Sequence, residues 1–115
     1  MIRVTYREAS EVLSLTMEGH AGSAEYGHDL VCASASMLAY TLALHVDSLD
    51  KTDALKDSPI VSLLPGDARV ITRPFPEAYG KVRDAYRLIA DGYELLSKHY
   101  PKFVSFIYDA TPERV

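Results

Sequence analysis

Apolar residues in the first part of this chain recur with a period of two and then change to the period of a helix. Ile2, Val4 and Tyr6 alternate with Arg3, Thr5 and Arg7, and Leu13, Leu15 and Met17 alternate with Ser14, Thr16 and Glu18. Strict alternation of this kind marks strands with one buried and one open face. The short polar stretch Glu8-Ala9-Ser10-Glu11 predicts a hairpin connection, and hence antiparallel pairing of the two strands. After Asp29 the spacing becomes helical: Val31, Ala35, Leu38, Leu42 and Val46 share one face, with Leu30, Met37, Leu44 and Leu49 widening it. A sheet with a single apolar face needs a layer to cover it, and this helix is the first available cover. Its apolar arc is broad enough to predict burial on two sides, against the sheet and against a second helix or a partner subunit.

The remaining elements follow from turn chemistry and periodicity. Asp50 to Ser58 is polar connection, Ile60 to Leu64 a short apolar strand, and Ala68 to Arg73 its return across the Pro65-Gly66-Asp67 turn. Pro76 suits the first turn of a helix, and Tyr79, Val82, Tyr86, Ile89, Tyr93 and Leu96 then follow a 3,4,3,4,3 spacing. Pro101 stops that helix, and Phe103 to Tyr108 reads as a last strand. The order is ββαββαβ. It predicts an α+β domain over residues 1–115, with a mainly antiparallel sheet and two helices packed against it.

Composition narrows the function classes. With 12 Lys and Arg against 16 Asp and Glu, the net charge is −4, so the chain as a whole has no attraction for a phosphate backbone. Direct nucleic-acid binding is not expected. Arg69, Arg73, Lys81, Arg83 and Arg87 fall close together, and their plain reading is a solvated strand and helix face. One cysteine cannot form an internal disulfide. With no signal-peptide pattern and no apolar run taken as long enough to span a bilayer, the expected compartment is the cytoplasm, with no membrane partner.

That lone cysteine carries the most reactive chemistry in the chain. Asp29 is placed as a helix N-cap, with Leu30, Val31 and Cys32 as the first three helical positions. There the unpaired backbone N–H groups and the helix dipole favour a thiolate, and the same groups can stabilise an oxyanion formed by its attack on a carbonyl. His20, just past the end of a strand, supplies a general base; His28 is a weaker candidate that faces solvent or substrate. Asp29 either caps the helix or orients His20. Ser36, one turn beyond Cys32, is either a small packed helix residue or a contact to substrate or thiolate. Residues 19 to 28 hold three of the six glycines, which fits a mobile loop over the site, with Tyr26 placed to close over a peptide. Core packing is the competing explanation for Cys32, and a solvent-exposed loop position for His20. His20, His28 and Cys32 also form an H-x7-H-x3-C set, but the spacing matches no metal motif, and neither a metal nor any other cofactor is expected. His45 and His99 are read as structural, His99 at a helix C-terminus. The tyrosines are read as core and dimer packing.

Gly19-His20-Ala21, then Gly27, Asp29-Leu30-Val31-Cys32-Ala33 and Ser36 together resemble the signature of the Prp family, the small bacterial ribosomal-processing cysteine proteases. The resemblance extends to the length, the start directly on a strand and the ββαββαβ order. It implies Cys32 as nucleophile and His20 as catalytic base. Gly19, Asp29, Ala33 and Ser36 become supporting or substrate-binding positions, and Ala21, Gly22, Tyr26, Gly27 and His28 belong to a mobile segment. It further implies a homodimer that removes a short N-terminal extension from a large-subunit ribosomal protein, number twenty-seven. A non-enzymatic ribosome-associated or assembly-binding protein is the alternative from a different class, and another cysteine-dependent hydrolase or acyl transferase a third.

Overall fold

Alternation of side chains drives the architecture. In the computed structural model, which describes residues 1–19 and 28–110, strand β1 (Ile2–Ala9) turns into β2 (Val12–Glu18). The turn residues Ser10 and Glu11 have φ of 52° and 66°, the left-handed pair a two-residue hairpin requires. Helix α1 (His28–Lys51) follows, then β3 (Ile60–Leu64) and β4 (Asp67–Thr72). Pro65 and Gly66, the latter at φ 74°, form the turn between them, with Pro setting the first position and Gly taking the left-handed second. A 3-10 turn (Pro76–Ala78) leads into α2 (Tyr79–His99), and β5 (Val104–Ala110) closes the order. The ββαββαβ order and the α+β class are as expected.

The five strands form one mixed sheet in the order β3-β4-β2-β1-β5. Three pairings are antiparallel, and β5 lies parallel to β1, with Ile2 opposite Val104. One face is a continuous buried surface: Ile2, Val4 and Tyr6 from β1, Leu13, Leu15 and Met17 from β2, Ala68 and Val70 from β4, and Val104 from β5. The two helices cover it. Val31, Ala35, Ala39, Leu42, Val46 and Leu49 of α1 and Val82, Tyr86, Ile89, Ala90 and Tyr93 of α2 join the same core. The opposite sheet face is the wetter one, with Arg3, Arg7, Glu18 and Arg69 exposed on it.

Several expectations need correction. Glu8 is no part of the connection, because the period of two runs through it, and it is buried in the same inward row as Ile2, Val4 and Tyr6. The stretch between α1 and β3 is not merely polar: Ala54 and Leu55 are buried, and backbone bonds from Lys56 to Arg73 and from Phe75 to Ala54 tie it to the residues after β4. The broad apolar arc of α1 is covered on the sheet and α2 sides, but Leu30, Met37 and Leu44 remain 62–72% exposed. From Leu30 to Lys51 this helix is also long and apolar enough, by length and composition, to cross a bilayer, which the sequence reading overlooked. The stripe that packs under the sheet accounts for much of that apolarity.

Candidate active site

Two features flank the connection from β2 to α1. At the end of β2, Gly19 has φ 94°, and its N–H donates to the Gly66 carbonyl at 2.9 Å. A Cβ at this position would collide with the Met1 carbonyl. Only glycine combines that close approach with a left-handed backbone, so the residue before His20 is locked against both neighbouring chain segments. Where α1 begins, the helix extends two residues further than expected. It starts at His28, which puts Asp29 inside the first turn rather than at the N-cap and makes Cys32 the fifth helical residue. Helices recruit adjoining residues readily at their ends, and a spacing pattern read from apolar residues does not register polar first-turn positions. Since Cβ bonds lean toward the helix N-terminus, the Cys32 side chain is directed back over the turn whose N–H groups lack helical acceptors.

Cys32 is half-buried and packs against the core. Val31 and Ala35 beside it are buried, Ser36 is half-buried, and Ala33 and Ser34 are exposed. The Ser34 hydroxyl donates to the Leu30 carbonyl at 2.7 Å, a bond internal to the helix. His20, Ala21, Gly22, Tyr26 and Gly27 lie outside the described residues, and so do any pairing of His20 with Cys32 or Asp29 and the proposed closing of the loop. The H-x7-H-x3-C set also falls partly outside; among the described residues no group of three or more His, Cys, Asp or Glu is placed to hold a metal.

Sequence reasoning treated Tyr93 as core and missed what its hydroxyl does. The ring is fully buried, and the hydroxyl donates to the Ala35 carbonyl at 2.7 Å and lies 3.8 Å from the Met17 sulfur. Met17 stands two residues before Gly19, and Ala35 three residues after Cys32. One α2 side chain thus ties the end of β2 to the helix turn next to the thiol. Burial raises the Tyr93 pKa well above its ordinary value, so the hydroxyl stays protonated and remains a donor. The signal for this was present as the regular spacing of Tyr79, Tyr86 and Tyr93, but a spacing cannot say which hydroxyls find acceptors.

Alongside, α1 and α2 approach closely. A Cβ on Gly92 would lie 2.7 Å from Leu38 Cδ2 and would push that side chain aside. Beyond that crossing an apolar groove of about 580 Å³ opens between the helices, lined by Ala33, Met37, Leu38, Leu95 and Leu96 and ending at His99 and Tyr100. His99 Nδ1 lies 3.0 Å from the Leu95 carbonyl, the C-terminal helix contact expected for it, while His45 is exposed.

Comparison with known proteins identifies relatives of this sequence and fold. The sequence profile of the family described as Cysteine protease Prp aligns with residues 1–105. Proteins from two strains of Staphylococcus aureus, each named ribosomal processing cysteine protease Prp, are 41% identical over 39 residues, a stretch that is 34% of this chain and 37% of the relative. The crystal structure of SMU.848 from Streptococcus mutans superposes with a TM-score of 0.69 at 28% identity, covering 96% of both chains. The essential ribosomal processing protease Prp of S. aureus, solved with a covalently linked product peptide, has the same fold at 21% identity, with a TM-score of 0.68 over 95% of this chain and 100% of that one.

Proposed function

Because the chain belongs to the cysteine protease Prp family, we propose that it is a cysteine endopeptidase that removes a short N-terminal extension from a large-subunit ribosomal protein, number twenty-seven. The Cys32 thiolate attacks the carbonyl carbon of the scissile bond. His20 takes the thiol proton and returns it to the leaving amine, and water then releases the acyl group from sulfur. First-turn N–H groups of α1 stabilise the oxyanion of each tetrahedral intermediate. Neither a metal nor a cofactor is required by this sequence of steps.

The observation that supports the reading best is the Tyr93 bridge, which holds the strand end leading into His20 against the helix turn that carries Cys32. The exposed apolar side of α1, with Leu30, Met37, Tyr40 and Leu44, supports a homodimer built on that helix. In this reading the enzyme works in the cytoplasm, on the ribosomal precursor itself.

The test is mass spectrometry of the precursor after incubation with wild-type, Cys32→Ala and His20→Ala protein. Wild type shortens the precursor at one position, and each variant leaves it intact. Full cleavage by Cys32→Ala would sink the assignment, and cleavage at scattered sites would remove the proposed specificity.

A further inference from the structure

At the end of the sheet remote from Cys32 lies a second cavity, of about 660 Å³, between the β1–β2 turn and the start of α2. Its floor is ionic. Arg87 donates from Nε and Nη2 to the two Glu8 carboxylate oxygens, at 2.7 and 2.9 Å, and the Tyr6 hydroxyl donates to the same carboxylate. Burial alone would push the Glu8 carboxyl up; the bonds from Arg87 and Tyr6 and the charges of Arg87 and Arg83 outweigh it and hold it below the ordinary value. The floor is therefore a closed, neutral unit. On the rim, Glu11 is paired with Lys56 at 3.3 Å.

Among the described residues, Arg83 is the cation of this cavity that lacks a comparable partner. Its Nη2 reaches, among the described residues, only Asp84, the next residue, at 3.5 Å, and that carboxylate is 72% exposed. Its Nε is shielded from solvent and has no hydrogen-bond partner among the described residues. The guanidinium lies 6.0 Å from the centre of the Tyr79 ring. Pro74, Pro76 and Tyr79 supply apolar wall beside it.

We propose that this cavity is a second binding site, separate from the thiol, for a small carboxylate with an apolar body, and that Arg83 receives the carboxylate. The ion pair of Arg83 with Asp84 is long and its carboxylate solvent-exposed, so a ligand carboxylate, whose two oxygens match the guanidinium fork, competes with it. The proline and tyrosine wall takes a ring or a short aliphatic chain.

The test titrates 15N-labelled wild-type protein with benzoate, benzamide and phenyl phosphate, following backbone amide shifts. Benzoate should produce saturable shifts centred on Ser10, Glu11, Tyr79, Gly80 and Arg83. Benzamide, lacking the charge, should bind at least about tenfold more weakly. In Arg83→Gln, whose own spectrum reports whether the fold is kept, benzoate affinity should fall about tenfold or more, with Arg83→Lys between the two. Absence of saturable benzoate shifts, or shifts centred on Cys32, overturns the proposal. So does a folded Arg83→Gln that binds benzoate as well as wild type. Phenyl phosphate binding more tightly than benzoate overturns the single-carboxylate assignment.

Discussion

The two ends of the sheet solve opposite problems. At one end Glu8, Tyr6 and Arg87 form a buried polar unit in which each group answers another, and the ring stacking of Tyr6 on Tyr86, with centroids 5.9 Å apart, packs it into the core. At the other end Gly19, Met1 and Gly66 meet through backbone atoms, and a single thiol stands half-buried over a helix start. The first end satisfies its polar groups with side chains far apart in sequence. The second places a half-buried thiol near a helix start, beside an apolar groove. Stability and reactivity are therefore separable, and substitutions at the two ends should affect different measurements.

The largest expected effect is at the thiol end and on activity alone. Cys32→Ala should lower the rate of precursor cleavage by at least about 10³-fold, while urea unfolding of the same variant shows a loss of no more than ~1 kcal/mol. Parallel loss of stability and activity would show that Cys32 acts as core filler. Glu8→Gln should do the reverse. It breaks an ion pair whose arginine side chain is 42% exposed, so the cost is discounted for solvent to roughly 1–3 kcal/mol, with cleavage retained under conditions where the variant is folded.

Gly19→Ala tests the junction between the two problems. It forces a Cβ into the Met1 carbonyl at a left-handed backbone position, and should cost about 1–3 kcal/mol and reduce cleavage as well, because His20 follows directly. Tyr93→Phe is gentler. Removing the hydroxyl takes its bond from the Ala35 carbonyl, which keeps its helical partner, at a cost of about 1 kcal/mol, and a lower cleavage rate that outlasts added stabilising salt would identify Tyr93 as a positioning residue.

The smallest effect is that of pH. The Glu8 carboxyl is held below its ordinary value, so its contribution to stability is fully present above the unfolded carboxylate pKa of about 4.3 and is lost as pH falls through the lower folded value. Unfolding free energies of wild type and Glu8→Gln should therefore differ above about pH 5 and converge at lower pH. A gap that stays constant down to strong acid would assign the stabilisation to packing instead of charge.

Local signals were legible wherever a short window contained the cause. Alternation in Ile2–Tyr6 and Leu13–Met17, the Pro65-Gly66 turn and the spacing of Tyr79 through Leu96 produced the observed elements. The cysteine, the histidine and the glycine before it marked the candidate site without any structure. Failures came where the cause lay far along the chain. Glu8 looked like turn material because its partner, Arg87, is 79 residues away. Arg83 and Arg87 looked like a solvated face because nothing local shows that one lies on a buried carboxylate and the other beside a cavity.

By itself the sequence determined that this chain makes two hairpins, two helices and a thiol at the start of one of them, since each depends on periods, turns and caps only a few residues long. Tertiary structure alone decided that β5 joins β1 in parallel, that Tyr93 ties the end of β2 to α1, and that charges 79 residues apart neutralise each other. These choices rest on pairings between distant segments, which become favourable only once the sheet face is buried and water is excluded from the groups that must find one another.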